Sequence, residues 1–307
     1  MKVLIAYDGS DCSDAIAKDL TRAGLPDEVS AVVLSVVHGS AHDPVLAASP
    51  ARGDGGLIAE AYTARTISRI VELETHAHQA AAQLRIEHPT WKIETEMVCG
   101  DPRTEMTRAM SLYEPELIVM GSHSRSTLGR LIHGSVAQYT LHNSKASVRI
   151  ARNLISDEME PPKLVVAVDG SEDSMAGVEA IAQRVWPAGT EARAVAVVSH
   201  RYIHPALGFP MYFTCETELI RRAFQNATDD AVAVLRKAGL DASAMVLPGE
   251  PAPVLIAEAI DWKADCIFLG AHGSGALARM LLGSVSTAVA AGAPCSVEVV
   301  RMRSTER

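Results

Sequence analysis

Three glycines and a serine, Gly270, Gly273, Gly283 and Ser284, stand at a spacing suited to phosphate chemistry. The apolar run Cys266-Ile-Phe-Leu269 precedes them and the small-residue run Val285-Ser-Thr-Ala-Val-Ala290 follows. That order reads as strand, glycine loop, helix. Glycine lets the backbone turn and approach a ligand with no Cβ in the way. The loop delivers Ser284 to a helix start, where unpaired N–H groups and the helix dipole favour an anion. The same spacing recurs at Gly121, Gly134 and Ser135, with Ser124 in place of the second glycine. If that position requires a positive φ, a serine costs about 1–3 kcal/mol there, although its hydroxyl could also donate to phosphate. His123, Arg125, Arg130 and His133 add donors to the first loop and Arg279 to the second. Asp8 and Asp169 each close an apolar run and open an Asp-Gly-Ser turn, which could brace a helix start or meet a ligand.

The elements that must position these residues alternate. Val3–Tyr7 is a first strand and about 13–23 a helix that Ser10, Asp11 or Ser13 could cap. The continuous apolar run Ala31–Val37 suits a strand buried on both faces of a parallel sheet. A loop rich in Ala, Pro and Gly over 39–56 leads to a long helix ending near Glu87. Lys92–Val98 alternates and is an edge-strand candidate. Pro102 can open the next helix, Leu117–Met120 is a fourth strand and Ser147–Ala151 a fifth.

The chain then begins again. Asp8 and Asp169 are 161 residues apart, and matching Val33-Leu-Ser-Val-Val-His38 to Val195-Ala-Val-Val-Ser-His200 gives an offset of 162. From Gly100 and Gly249 onward, through Gly121/Gly270, Gly134/Gly283 and Arg152/Arg301, the offset is 149. The fall from 162 to 149 assigns 13 extra residues to the first half, most simply in the 39–56 loop. Residues 153–162, acidic and ending in Pro161-Pro162, form the seam of a tandem duplication. The expected fold class is α/β: two tandem doubly wound domains, 1–152 and 163–307, each a five-stranded parallel sheet of order 3-2-1-4-5 flanked by helices. Ligands in such sheets bind beyond the carboxyl ends of the strands, where strand order reverses. Asp8 and Gly121, like Asp169 and Gly270, end neighbouring strands at that point.

Composition narrows the partners. A 307-residue chain with 48% hydrophobic and 21% charged residues is a globular protein with room for two cores. A net charge of −9 and 4% aromatic residues argue against nucleic-acid and anionic-membrane binding. The first residues are too few and too soon charged for a leader, and no apolar run reaches a membrane span of about 18 residues. Five cysteines without a Cys-x-x-Cys pair fit reduced, buried thiols in a cytoplasmic protein.

Other motifs fit less well. Gly273-Ser-Gly275-Ala-Leu-Ala278 matches a loose dinucleotide fingerprint, but follows a fourth strand and not a first. No Gly-x-x-x-x-Gly-Lys-Ser/Thr occurs. His76 and His78 point apart on a helix, and His123 and His272 supply one histidine per loop, so no protein-ligated metal is expected.

Gly270-x-x-Gly273, nine residues, then Gly283-Ser284, after a first-strand Asp-Gly-Ser, resembles the universal stress protein family and its nucleotide-binding branch. The resemblance spans both halves. It implies that Gly270, Gly273, Gly283 and Ser284 hold the phosphates and ribose of ATP, with a phosphate-bound divalent cation such as Mg. It further implies that Asp169 contacts the adenosine end and that the Val198 backbone meets adenine. In the first half it implies the same roles for Asp8, Val36, Gly121, Ser124, Gly134 and Ser135. Single-domain relatives commonly pair through their last strands, so the resemblance also implies an internal pseudo-dimer with 147–152 and 296–301 antiparallel, and allows a homodimer of whole chains. A nucleotide-dependent regulatory protein of the stress response is the expected function. A slow ATP hydrolase, a nucleotidyl-transfer enzyme and a scaffold with vestigial sites stand as alternatives. The glycine loops contain no Asp, Glu, Gln or Lys to position water or a cation, which favours binding over catalysis.

Overall fold

A computed structural model describes residues 1–9, 11–38, 56–122, 134–152, 160–199, 210–273 and 282–302. The first half runs β1 (Lys2–Ala6), α1 (Asp11–Thr21), β2 (Ser30–His38), α2 (Gly56–Glu87), β3 (Lys92–Gly100), α3 (Pro102–Tyr113), β4 (Leu117–Gly121), α4 (Ser135–Asn143) and β5 (Ser147–Ala151). The second repeats it as β6 (Lys163–Ala167), α5 (Glu172–Ala182), β7 (Glu191–Val198), α6 (Pro210–Lys237), β8 (Asp241–Pro248), α7 (Pro251–Asp261), β9 (Cys266–Gly270), α8 (Ser284–Gly292) and β10 (Ser296–Val300).

All ten strands form one sheet, ordered β3-β2-β1-β4-β5-β10-β9-β6-β7-β8. Within each half the pairings are parallel. The halves meet where β5 and β10 pair antiparallel, Ile150 opposite Val297 and Val148 opposite Val299. Strand order therefore reverses between β1 and β4, and again between β6 and β9. The alternating strand β3 is outermost, as its pattern predicts.

Two helical layers cover the sheet. On one face Met106 and Ala109 of α3, Leu141 of α4, Leu255 and Ala259 of α7 and Val289 of α8 join strand residues of both halves in one core. On the other face the halves keep separate cores, under α1 and α2 and under α5 and α6. Residues such as Leu4, Val119, Val165 and Phe268 are fully buried, which is why these strands read as unbroken apolar runs.

The ladder corrects the repeat register. Ala6 pairs Leu34 and Ala167 pairs Val195, so β2 and β7 correspond at an offset of 161, not 162. Ser30 pairs Lys92 and Glu191 pairs Asp241, separations of 62 and 50, so the first half carries 12 extra residues between β2 and β3. The two valine-rich runs can slide by one residue at no compositional cost, and only the pairing fixes them.

Candidate functional site

At the first switch point the carboxyl ends of β1, β2 and β4 meet the first turns of α3 and α4 around a cavity of about 280 Å³. Asp8, Val36, Gly121, Gly134 and Ser135 line it together, drawn from four separate stretches of chain. Ala6, Tyr7, Leu34, Pro102, Met106, Met120, Val136 and Ala137 complete its wall. Pro102 and Met106 lie one turn apart on α3 and so face the cavity together. These apolar residues were not singled out by their sequence, since each also fits an ordinary core position.

The chemistry differs along the cavity. Tyr7 N donates to Leu34 O at 2.9 Å, which directs the peptide groups of Leu34 toward β1. Val36, two residues on, turns its N–H and C=O to the same side, past the last paired residue of β1. At the other end Gly134 caps α4 and, having no side chain, offers no acceptor to the first N–H groups of the helix. Ser135 is the first helical residue, not the cap, and is exposed. Asp8, also exposed, stands at the mouth. An apolar slot with a free peptide edge, a carboxylate and a helix N-terminus can hold a base, a sugar and an anion in that order.

The second half repeats the frame with differences. Gly283 caps α8, again without a side-chain bond, and Ser284 is its exposed first residue. Ser284 and Ser135 are thus not N-caps. Val198 corrects the expectation placed on it: its carbonyl accepts from Gly249 N at 3.1 Å and faces β8. Val168 N donates to Val195 O at 2.9 Å, so Val197 turns its backbone to the cleft as Val36 does.

Steric constraints explain the second-half glycines. A Cβ on Gly270 would lie 2.5 Å from the backbone carbonyl of Asp173, so β9 and α5 touch through it. A Cβ on Gly283 would sit 3.2 Å from Ala271 O, against the backbone that follows β9. A Cβ on Gly273 would lie 2.8 Å from Asp169 Oδ2. Gly273 has no left-handed φ, so the strain argument attached to its counterpart Ser124 does not hold for this glycine. Ser124 itself lies outside the described residues, as do His123, Arg125, Arg130, His133, Arg279 and His200.

Asp169 does brace the turn. Its Oδ1 accepts from Ser171 N at 3.0 Å and from Ser171 Oγ, while Ser171 caps α5 by accepting from Ser174 N. His272 is engaged too, its Nδ1 lying 2.9 Å from Asp173 Oδ2. Among the described residues no cluster of His, Cys, Asp and Glu could hold a metal ion, and no helix is long and apolar enough to cross a membrane.

Each half is thus a doubly wound α/β unit with a glycine-bounded loop and an uncapped helix N-terminus at its switch point. The chain belongs to the universal stress protein family, whose description matches residues 1–152 and 162–301. A universal stress protein of Mycobacterium bovis is 27% identical over 322 aligned residues, covering 97% of this chain and 96% of the relative. One from Thermus aquaticus is 30% identical over 139 residues, 45% of this chain and 97% of its own length. The crystal structure of a universal stress protein from Archaeoglobus fulgidus shares the fold across 98% of both chains, with a TM-score of 0.58 at 19% identity.

Proposed function

We propose that this chain is an ATP-binding regulatory protein of the stress response, with one nucleotide site in each repeat, 1–152 and 163–307, joined by 153–162. The observation that carries the reading is the first-half cavity, where Asp8, Val36, Gly121, Gly134 and Ser135 converge beside an uncapped helix N-terminus. Adenine would stack against Met106 and Met120 and bond to the Val36 backbone, the ribose would meet Asp8, and the phosphates would lie on the first N–H groups of α4. In the second half Asp169, Val197, Gly270, Gly273, Gly283 and Ser284 would serve the same ends. A divalent cation would arrive on the phosphates, since carboxylate clusters are absent among the described residues. Met-rich walls suit an apolar ring face, while among the described residues the cavity wall supplies a single carboxylate, from Asp8, and no lysine, which suits retention of nucleotide more than its turnover. Reduced thiols and acidic charge fit a cytoplasmic setting.

Titration calorimetry with Mg-ATP on the whole chain and on Asp8→Ala tests this. Binding is expected in the wild type, with one class of sites weakened about tenfold or more in the variant, the equivalent of a lost charged hydrogen bond of about 1.5 kcal/mol or more. No binding by the wild type, or unchanged binding by Asp8→Ala, overturns the assignment. Single-turnover hydrolysis within seconds would instead favour the enzyme reading.

A further inference from the structure

The two strands that meet at the centre of the sheet are the same strand of the duplicated unit. The offset of 149 makes Glu298 the counterpart of Arg149, and the antiparallel register sets these two residues opposite each other. They occupy the pseudo-two-fold axis, so in a pairing of like halves each would face a copy of itself. Here Arg149 Nη1 donates to Glu298 Oε2 at 3.1 Å, with both side chains essentially inaccessible to water.

Each charge is held from behind by its own half. Arg149 donates from Nε and Nη2 to the Asp19 carboxylate at 2.6 and 2.8 Å. Arg184 forks onto the two oxygens of Glu298. At the 161 offset of this region the counterpart of Asp19 is Ala180 and that of Arg184 is Ala23, so the supporting charges are not duplicated. Ser296 Oγ of the second half completes the set by donating to Asp19 at 2.6 Å. The apolar neighbours on the opposite face, Val148 and Ile150 against Val297 and Val299, are alike in both halves and would accept either partner.

We propose that this edge is an interface addressed to the opposite half alone, and that the buried Arg149–Glu298 pair is what rejects its own kind. First half on first half would press two guanidinium groups together where Nη1 now meets a carboxylate. Second half on second half would do the same with two carboxylates. Asp19 and Arg184 would still hold each charge from its own half, but the two like charges brought together at the axis would repel at short range in a site closed to water. Specificity then comes from the penalty on the wrong partner more than from gain with the right one. The partner that fits the first-half edge is a strand with a buried carboxylate at the axial position, supplied by the same chain or by the second half of another copy.

The test uses the whole chain, with a protease site inserted between Arg152 and Glu160 and cut after folding. Nicked protein, its first half carrying a mass label in one of two preparations, is mixed, unfolded in urea, refolded by dilution and counted by native mass spectrometry. Mixed pairs of first and second half are expected with like pairs absent, whereas like pairs at statistical proportion overturn the proposal. A second measurement needs no refolding of the nicked halves. Glu298→Arg copies the first-half residue into the second, and Glu298→Gln removes the charge at the same size class. The arginine variant is expected to melt about 10 °C or more below the glutamine variant, or not to fold where the glutamine variant does. Equal melting temperatures overturn the proposal.

Discussion

Arg152 and Arg301 close each other's halves. Arg152, just after β5, donates to Ala290 O at the C-terminal end of α8 and to Cys295 O just before β10, and Arg301, just after β10, donates to Leu141 O of α4 at 2.8 Å. Their backbone amides bond across the seam as well, Arg152 N to Ser296 Oγ and Arg301 N to Ser147 Oγ. The Ala290 and Leu141 carbonyls and the Ser296 and Ser147 hydroxyls are each displaced by 149 residues, so one device is used twice, with the bond to Cys295 O added on the Arg152 side.

Each arginine thus caps the helix whose N-terminus belongs to the other half's loop, where a cation complements the helix dipole. Arg301→Met is expected to loosen α4 in the first half, and Arg152→Met to loosen α8 in the second. Each loses a partly buried cap interaction of about 1–2 kcal/mol. Hydrogen exchange read by mass spectrometry separates the cases: faster exchange must appear in the helix of the half that was not mutated. Faster exchange confined to the mutated half would refute the crossed arrangement.

Gly270 and Gly273 predict opposite phenotypes although both belong to one motif. Gly270→Ala drives a Cβ to 2.5 Å from the Asp173 carbonyl, backbone against backbone, and α5 must shift. A loss of about 1–3 kcal/mol in urea unfolding is expected, as for an overpacked core. Among the described residues the Cβ of Gly273→Ala meets the Asp169 carboxylate at 2.8 Å, a side-chain end and not backbone. Its stability should stay within about 0.5 kcal/mol, while ATP affinity at the second site falls as the carboxylate is displaced. Calorimetry in an Asp8→Ala background, which leaves the second site as the tighter one, makes that measurement. A stable Gly270→Ala or an unfolded Gly273→Ala would reverse the two roles.

Most of the fold was legible because β1, β2, β4, β6 and β9 are mostly apolar runs, β3 alternates, and most helices begin at or just after a Gly, Pro or Ser signal. The first-half cavity was legible through Asp8, Gly121 and Gly134, which follow or end strands or precede a helix where the backbone turns. Val198 was misplaced because Val-Val-Ser-His and Ser-Val-Val-His align equally well one residue apart, and side-chain composition carries no register. Met106 and Met120 were missed because a cavity wall and a core use the same residues. The central ion network was invisible for a different reason. It unites Asp19, Arg149 and Glu298 from three elements with Arg184 from the turn after α5, and the duplication itself presents Arg149 and Glu298 as a mismatch when they are partners.

Acid should act on that network through Glu298. Burial alone would raise its pKa, but Arg184 and then Arg149 outweigh burial and hold the carboxyl below its ordinary 4.5. A depressed folded-state value means the carboxylate contributes stability above about pH 4.5, and the contribution is lost as pH falls through the folded value. The stability gap between wild type and Glu298→Gln is therefore expected to be constant near neutral pH and to narrow in acid. Thermal melts from pH 7 to pH 3 would show it. A gap that stays constant to pH 3 would mean that another group governs the acid limb.

Thiol labelling reports on the same seam. Cys99 is exposed, against the expectation that the cysteines are buried, while Cys266 and Cys295 are buried free thiols. Burial pushes the Cys295 thiol up to about 12 and raises Cys266 well above its ordinary 9.0, even with Arg149 Nη1 at 3.3 Å from its sulfur. Reaction needs both access and thiolate, so neither buried thiol should react in the folded chain. Among these three cysteines, iodoacetamide at neutral pH is expected to modify Cys99 within minutes and the other two only on unfolding. Because Cys266 lies on β9 against the Arg149–Glu298 pair, its labelling rate measures how often the seam opens. Glu298→Arg should raise that rate far more than Gly273→Ala, which disturbs only the loop, and equal rates would detach Cys266 from the seam.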